Sequence, residues 1–277
     1  MRGVSERIVK RDPAGERRDG VGPDHGAGAA QHDAVRATSL QGFRERSLER
    51  GVNPVFYWFI RALFVPFFLV YFRMQRIGRE HLPSSGALLL AANHRSFLDP
   101  FVIGTLVRRP VYYMAKRELF EKRWQAVALN ALGAFPVERG AGDGAAMQTA
   151  RAILERGDCV VVFPEGTRIR TGPLAQPRRG VGRLALETGA PVAPVTVIGS
   201  DQVRRGWRVR PRRVRLRVGR PLLFPTVESC SPTLAAGVTE RIWACVRLQW
   251  EWLGGETAAS PEPTPGRSRE REVSRAA

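Results

Sequence analysis

The chain has 277 residues, 43% of them hydrophobic, enough for a real core in one large domain or two small ones. It carries 44 basic and 26 acidic residues, a formal charge of +18. Its three cysteines, Cys159, Cys230 and Cys245, form no Cys-x-x-Cys pair, which argues against a disulfide scaffold and against a zinc site.

The charge is not a property of the ends. Residues 1–50 hold 10 basic and 8 acidic residues, and residues 254–277 hold 4 of each. That leaves 30 basic and 14 acidic residues, a charge of +16, for the middle. Such a surface seeks anions: nucleic acid, acidic lipid or phosphorylated substrates. Residues 1–50 are rich in Gly, Asp, Arg and Glu, lack an apolar signal-peptide core, and read as a disordered polar leader.

Residues 51–80 form the next segment. Within it "VFYWFIRALFVPFFLVYF", residues 55–72, is apolar and aromatic apart from Arg61 and Pro66. A spanning helix wants about 20 apolar residues. An arginine at the centre of a span costs roughly 2.5–3.5 kcal/mol. The expectation is therefore a helix, or a broken helix pair, lying in the membrane interface. A true span and an ordinary core helix are the alternatives.

From residue 81 to 253, strands alternate with helical patterns. "GALLLAAN" reads as a buried strand, "PFVIGTLV" as a short helix and "VYYMA" as a strand. "ELFEKRWQAVALNALG" reads as a helix with a glycine stop, "AFPVE" as a strand and "AAMQTARAILERG" as a helix. "CVVVFP" is a strand, "RGVGRLALETG" a helix and "PVAPVTVIG" a strand. The alternation predicts an α/β fold with a mostly parallel sheet flanked by helices. "RVRLRV" alternates like a strand with one apolar and one basic face, the basic face meeting solvent or lipid headgroups. Residues 232–253 form a last helix with Trp243, Trp250 and Trp252, expected to pack on the sheet. Residues 254–277 read as a disordered tail.

In a parallel sheet, ligands bind beyond the carboxyl ends of the strands. "NHRSFLDP", residues 93–100, falls at such an end. Asp99 before Pro100 is an ordinary helix start. However, an offset of five does not share a helix face, so His94 sits in the turn before the helix and can fold back onto Asp99. A carboxylate on one imidazole nitrogen fixes the tautomer and frees the other as a general base. No third ligand has metal spacing. "FPEGTR", residues 163–168, closes another strand; Arg168 offers a planar fork for a phosphate, against the plainer reading of a charged turn. "GAFPVERG" puts Arg139 past a third strand, and "MAKREL" puts Lys116 past a fourth. Four converging polar strand ends, cationic around one potential base, form a site pattern.

"NHRSFLDP" resembles the Asn-His-x-x-x-x-Asp block of the glycerophospholipid acyltransferase family. "GAFPVER", "FPEGTR" and "APVAPV" (residues 190–195) resemble its second to fourth blocks, in order, and "VGRP" its closing strand. The resemblance covers roughly residues 55–222 and is greatest to bacterial 1-acylglycerol-3-phosphate acyltransferases. Pro136 departs from the larger apolar side chain many members carry. The resemblance implies acyl transfer from acyl-CoA or acyl carrier protein to a lysophospholipid hydroxyl, with 1-acylglycerol 3-phosphate favoured and phosphatidic acid as product. Glycerol 3-phosphate, another lysophospholipid or a glycolipid are the alternative acceptors.

His94 would be the base and Asp99 its orienter. Arg168, Arg139 and Lys116 would hold the acceptor phosphate, with Glu165, Gly166 and Thr167 shaping the loop and touching the acceptor. The resemblance implies no cofactor and no metal. It implies membrane lipids as partners and a peripheral or monotopic place on the cytoplasmic face of the plasma membrane. No Gly-x-Ser-x-Gly elbow is present, in keeping with direct attack. Two rivals are weaker. "GAGDGA", residues 140–145, fits a dinucleotide fingerprint but sets Asp143 against a pyrophosphate. Residues 204–220 hold nine arginines and no acid and could bind nucleic acid, which is not expected here.

Overall fold

The computed structural model describes residues 40–137, 144–205 and 208–256. Among these, seven strands form one sheet in the order β1-β9-β6-β2-β5-β3-β4. They are β1 (Gln75–Ile77), β2 (Leu88–Ala92), β3 (Val111–Lys116), β4 (Ala134–Val137), β5 (Cys159–Val162), β6 (Val192–Ile198) and β9 (Arg215–Val218). All neighbours are parallel except β9 against β6. A two-stranded ribbon, β7 (Arg204–Arg205) with β8 (Arg208–Val209), stands apart.

The helices are α1 (residues 40–49), α2 (Pro54–Tyr71), α3 (Asp99–Gly104), α4 (Arg123–Ala131), α5 (Gly144–Glu155), α6 (Gly180–Thr188) and α7 (Pro232–Trp252). The expected strand–helix alternation is present throughout. Strand β2 is buried on both faces because helices cover both sides. Leu88 and Leu90 meet the cluster that includes Phe68 of α2 and Val102 and Ile103 of α3. Leu89 and Ala91 meet the opposite cluster, built from α5, α6 and α7. The last helix packs on the sheet as expected, with Trp243 and Trp250 buried and Trp252 61% exposed.

Several expectations shift in detail. Residues 40–49, read as part of the polar leader, are helical. Phe43 packs on the core, and Ser47 is buried beside Asn130, whose Nδ2 donates to Ser47 Oγ at 2.8 Å. A ten-residue segment with so few aliphatics gives little apolar signal, so these contacts were not legible in it. The helix expected over residues 118–133 is instead a 3₁₀ turn, Arg117–Phe120, followed by α4. The basic face of "RVRLRV" is partly covered: Arg213 is exposed, whereas Arg215 and Arg217 are half-buried. Arg215 donates to the carbonyl of Leu253 at 2.7 Å, and the Arg217 guanidinium lies 3.7 Å from the Trp252 ring centroid. The end of α7 thus covers part of that face.

Helix α2 is one continuous helix, with Asn53 accepting from the Phe56 N–H at its start and Pro66 inside it. It is long and apolar enough to cross a membrane. Tyr57 and Phe68 face the sheet, while Val55, Phe59, Leu63 and Val70 are 60–80% exposed. A helix apolar on all sides wants an apolar medium on its outer face as well. Arg61 does not interrupt that outer face. Its guanidinium turns inward to the carbonyls of Gly104 and Val107, at the open C-terminal end of α3. Arg76 and Arg79 donate to Thr105 and Leu106 at 3.0 and 2.7 Å, completing the cap of that short helix.

Close packing of α6 on α7 depends on one glycine. A Cβ at Gly182 would lie 2.1 Å from the Ala235 carbonyl oxygen, while one at Gly237 on exposed α7 meets nothing within 4 Å. Gly182→Ala therefore lowers stability by about 1–3 kcal/mol through overpacking. Gly237→Ala raises it by roughly 0.5–1 kcal/mol. Thermal denaturation of the two variants side by side checks the opposite signs.

Candidate active site

Strands β2, β5, β3 and β4 lie side by side and parallel, so their carboxyl ends share one edge. The chain leaves β2 through Asn93. Its side chain pairs with β6 as backbone would: Nδ2 donates to the Val197 carbonyl at 3.0 Å, and Oδ1 accepts from the Val197 N–H at 2.7 Å. That anchor ends the strand and starts the turn bearing His94.

Asp99 is the first residue of α3 rather than its N-cap, and its carboxylate points back into the turn. One oxygen, Oδ2, accepts from the N–H of Arg95 at 2.6 Å, from the N–H of Ser96 at 2.7 Å and from His94 Nδ1 at 2.9 Å. A carboxylate in this role can only accept. His94 Nδ1 therefore carries the proton and Nε2 keeps its lone pair. The imidazole stacks on Phe163 at the end of β5, with centroids 4.1 Å apart. Asp99 is fully buried and His94 nearly so. The pairing expected from the five-residue offset is thus present.

Glu165 shapes the loop after β5, as expected, and does so from a buried position. Its carboxylate does not face open space. Oε2 accepts from the His94 N–H at 2.6 Å, and Oε1 accepts from the Ala175 N–H at 3.1 Å. Burial pushes this carboxyl up, and the two N–H donors pull it back in part. Glu165 is a brace between the His94 turn and the loop after β5. Gly166 has φ +68, and a Cβ there would lie 2.7 Å from Arg178 Nε. The glycine is thus required both by its conformation and by the close approach of Arg178.

Thr167 and Arg168 are exposed at the loop's surface. Lys116, at the end of β3, pairs with Glu118 at 3.5 Å across a largely exposed surface. Arg139 lies outside the described residues, as do residues 140–143 of the dinucleotide-like stretch.

Arg95 is a site residue that the sequence did not reveal. It follows His94 and is buried. Its guanidinium donates to the carbonyls of Ile169 and Gly172 at 2.9 and 2.7 Å and lies 4.2 Å from the Trp250 ring centroid. The Ile169 N–H returns a bond to the His94 carbonyl at 2.9 Å. Burial lowers the Arg95 pKa, against the pull of Glu165, Asp201 and Asp99. Its partners lie 74 to 77 residues along the chain, or on α7, so no local pattern could show them.

An apolar cavity of about 240 Å³ lies between α2, α3 and β3. Tyr57, Phe64 and Phe68 line it from α2, Pro100 and Phe101 from α3, and Tyr113 from β3. Pro100 follows Asp99 directly, so this space abuts the His94–Asp99 turn. Among the described residues, no group of three or more His, Cys, Asp or Glu could hold a metal. Burial pushes the Cys159 thiol up to about 12, so it is a core residue rather than a nucleophile.

A buried His–Asp pair thus lies at the carboxyl edge of a mostly parallel sheet, beside a glycine-shaped loop carrying arginine. Residues 73–198 match the family model described as Acyltransferase. The chain is 29% identical over 146 residues to the 1-acyl-sn-glycerol-3-phosphate acyltransferase of Bacillus subtilis, covering 52% of this chain and 71% of that protein. It is 30% identical over 146 residues to the enzyme of the same name from Pseudomonas aeruginosa, covering 51% of this chain and 56% of that one. The crystal structure of the 1-acyl-sn-glycerophosphate (LPA) acyltransferase PlsC from Thermotoga maritima superposes with a TM-score of 0.55 at 22% identity, over 82% of this chain and 84% of that one. The chain is thus similar to acyltransferases through residues 73–198, and the named relatives are O-acyltransferases.

The Arg95 clamp makes a definite prediction. Arg95→Ala frees two carbonyls and unseats the loop over residues 169–175. Amide exchange in that loop, read by mass spectrometry, should accelerate roughly tenfold or more. Exchange in β6 should stay unchanged.

Proposed function

We propose that this chain acylates the free hydroxyl of 1-acylglycerol 3-phosphate, giving phosphatidic acid, with acyl-CoA or acyl carrier protein as donor. The observation that carries the reading is His94, held by Asp99 with Nε2 free. The acceptor hydroxyl gives its proton to His94 Nε2 as its oxygen attacks the thioester carbonyl. The tetrahedral intermediate collapses, the carbon–sulfur bond breaks, and the departing sulfur takes the proton back from His94. Asp99 stabilises the imidazolium between the two steps and keeps the ring aimed. No acyl-enzyme forms, so no side-chain nucleophile is required.

The acceptor phosphate falls to the loop after β5. Arg168 is exposed there on a rigidly braced turn, and its planar fork suits a phosphate. Thr167 lies beside it, Gly166 sets the turn, and Lys116 ends the neighbouring strand β3; Arg139 is assigned to the phosphate by the family resemblance alone. Glu165 acts by bracing rather than by touching the acceptor. The apolar cavity under α2 suits a hydrocarbon chain. The outer face of α2 carries the protein onto the membrane where its insoluble substrates reside, in a monotopic arrangement on the cytoplasmic side. The named activity of the Bacillus subtilis and Pseudomonas aeruginosa relatives supports this acceptor over glycerol 3-phosphate, another lysophospholipid or a glycolipid.

The test is acyl transfer in mixed micelles with oleoyl-CoA and lysophosphatidic acid, product being detected by mass spectrometry. The wild type is expected to make phosphatidic acid, and His94→Ala to lose roughly a hundredfold or more in kcat. A His94→Ala variant as active as wild type would refute the assigned base. In the same assay Arg168→Ala is expected to raise KM for the lysolipid roughly tenfold or more. Its KM for oleoyl-CoA should move little.

A further inference from the structure

The ribbon β7–β8 and the strand leading from it have no part in the chemistry above. From residue 202 to 227 the chain holds nine arginines and no acid. A ribbon of two residues per strand has no core of its own. It is held instead by the C-terminal end of α2. Tyr71 Oη donates to the Val209 carbonyl at 3.1 Å, Arg73 Nη2 reaches the Pro211 carbonyl at 3.5 Å, and the Val214 N–H donates to the Phe72 carbonyl at 3.1 Å.

At its other side the ribbon reaches the catalytic turn. The Arg204 guanidinium lies 5.6 Å from the ring centroid of Phe97, a half-exposed residue between His94 and Asp99. Arg208, Arg212 and Arg213 are exposed on it, and Val209 between them is 47% exposed. The nearest preceding acid, Asp201, is half-buried and its carboxyl is raised chiefly by burial, with Arg95 pulling it back.

From this we infer that the ribbon docks on the anionic phospholipid headgroups of a bilayer. It forms a cationic collar between the lipid-facing helix and the catalytic turn. Nine arginines and no acid over residues 202–227 give this stretch a strong local positive field that attracts anions. The choice of a membrane over another polyanion rests on continuity. The ribbon is tied directly to the end of α2, whose outer face exposes Val70 and Phe67 beside it. One surface thus offers apolar side chains and arginines together, the composition that suits an anionic leaflet. A lysolipid leaving that leaflet toward His94 passes Arg204 and Phe97. The inference rests on the membrane reading of α2, and the experiment separates the two.

The test uses full-length protein and vesicles of phosphatidylcholine, with and without phosphatidylglycerol, read by sedimentation. The variants are the triple substitution Arg208→Gln, Arg212→Gln, Arg213→Gln and its lysine counterpart. Equal melting temperatures establish that both fold. Adding phosphatidylglycerol strengthens wild-type binding, and the glutamine triple loses roughly tenfold to a hundredfold of that gain. The lysine triple keeps most of it. A separate variant, Phe59→Ser with Leu63→Ser, weakens binding to both kinds of vesicle if α2 is the lipid contact; no effect there sinks the membrane reading itself. A glutamine triple that keeps the whole anionic gain overturns the collar. So does a charge-dependent loss seen only with acidic carrier protein or with DNA.

Discussion

The site depends on one oxygen atom. Asp99 Oδ2 collects the N–H groups of Arg95 and Ser96 and the imidazole of His94. Without that oxygen the turn has nothing to fold around. The two backbone donors set the turn's shape, and the shape delivers the imidazole to the same acceptor. Positioning and tautomer control are therefore one interaction. This explains the five-residue spacing: it is the length of a loop that returns to the first residue of the helix it precedes.

A second layer fixes that turn to the acceptor loop. Glu165 binds the His94 N–H from the far side, Ile169 binds the His94 carbonyl, and Arg95 binds two carbonyls of the same loop. His94 and the loop that carries the exposed Arg168 thus belong to a single braced unit. Such bracing matters because an error of about 1 Å in placing a reacting group can cost on the order of a hundredfold in rate. Asp99, Glu165 and Asp201 all act on Arg95 electrostatically.

The sheet and its helices were legible because burial on both faces forces continuous apolar strands, as in "CVVVFP" and "PVAPVTVIG". The His–Asp pair was legible because its two members are close in sequence. What was not legible comes from long-range contact. Arg95 looked like any charged loop residue, since Trp250 is far along the chain. Glu165 read alone as one half of a surface Glu–Arg pair, and only its two backbone donors show it turned inward. The contacts of Arg215 and Arg217 with the end of α7 were not legible because that helix end is encoded elsewhere.

Arg61 shows the same limit, and it shapes how α2 meets lipid. In sequence it is a charge inside an apolar helix and argues against a lipid environment. In the fold it caps α3, and every side chain on the outward line from Val55 through Phe59 and Leu63 to Val70 is apolar. The same contact that removes a charge from the lipid side fixes α2 against α3, the helix that begins with Asp99. One interaction thus both keeps the outer face of α2 apolar and supports the helix whose first residue holds His94.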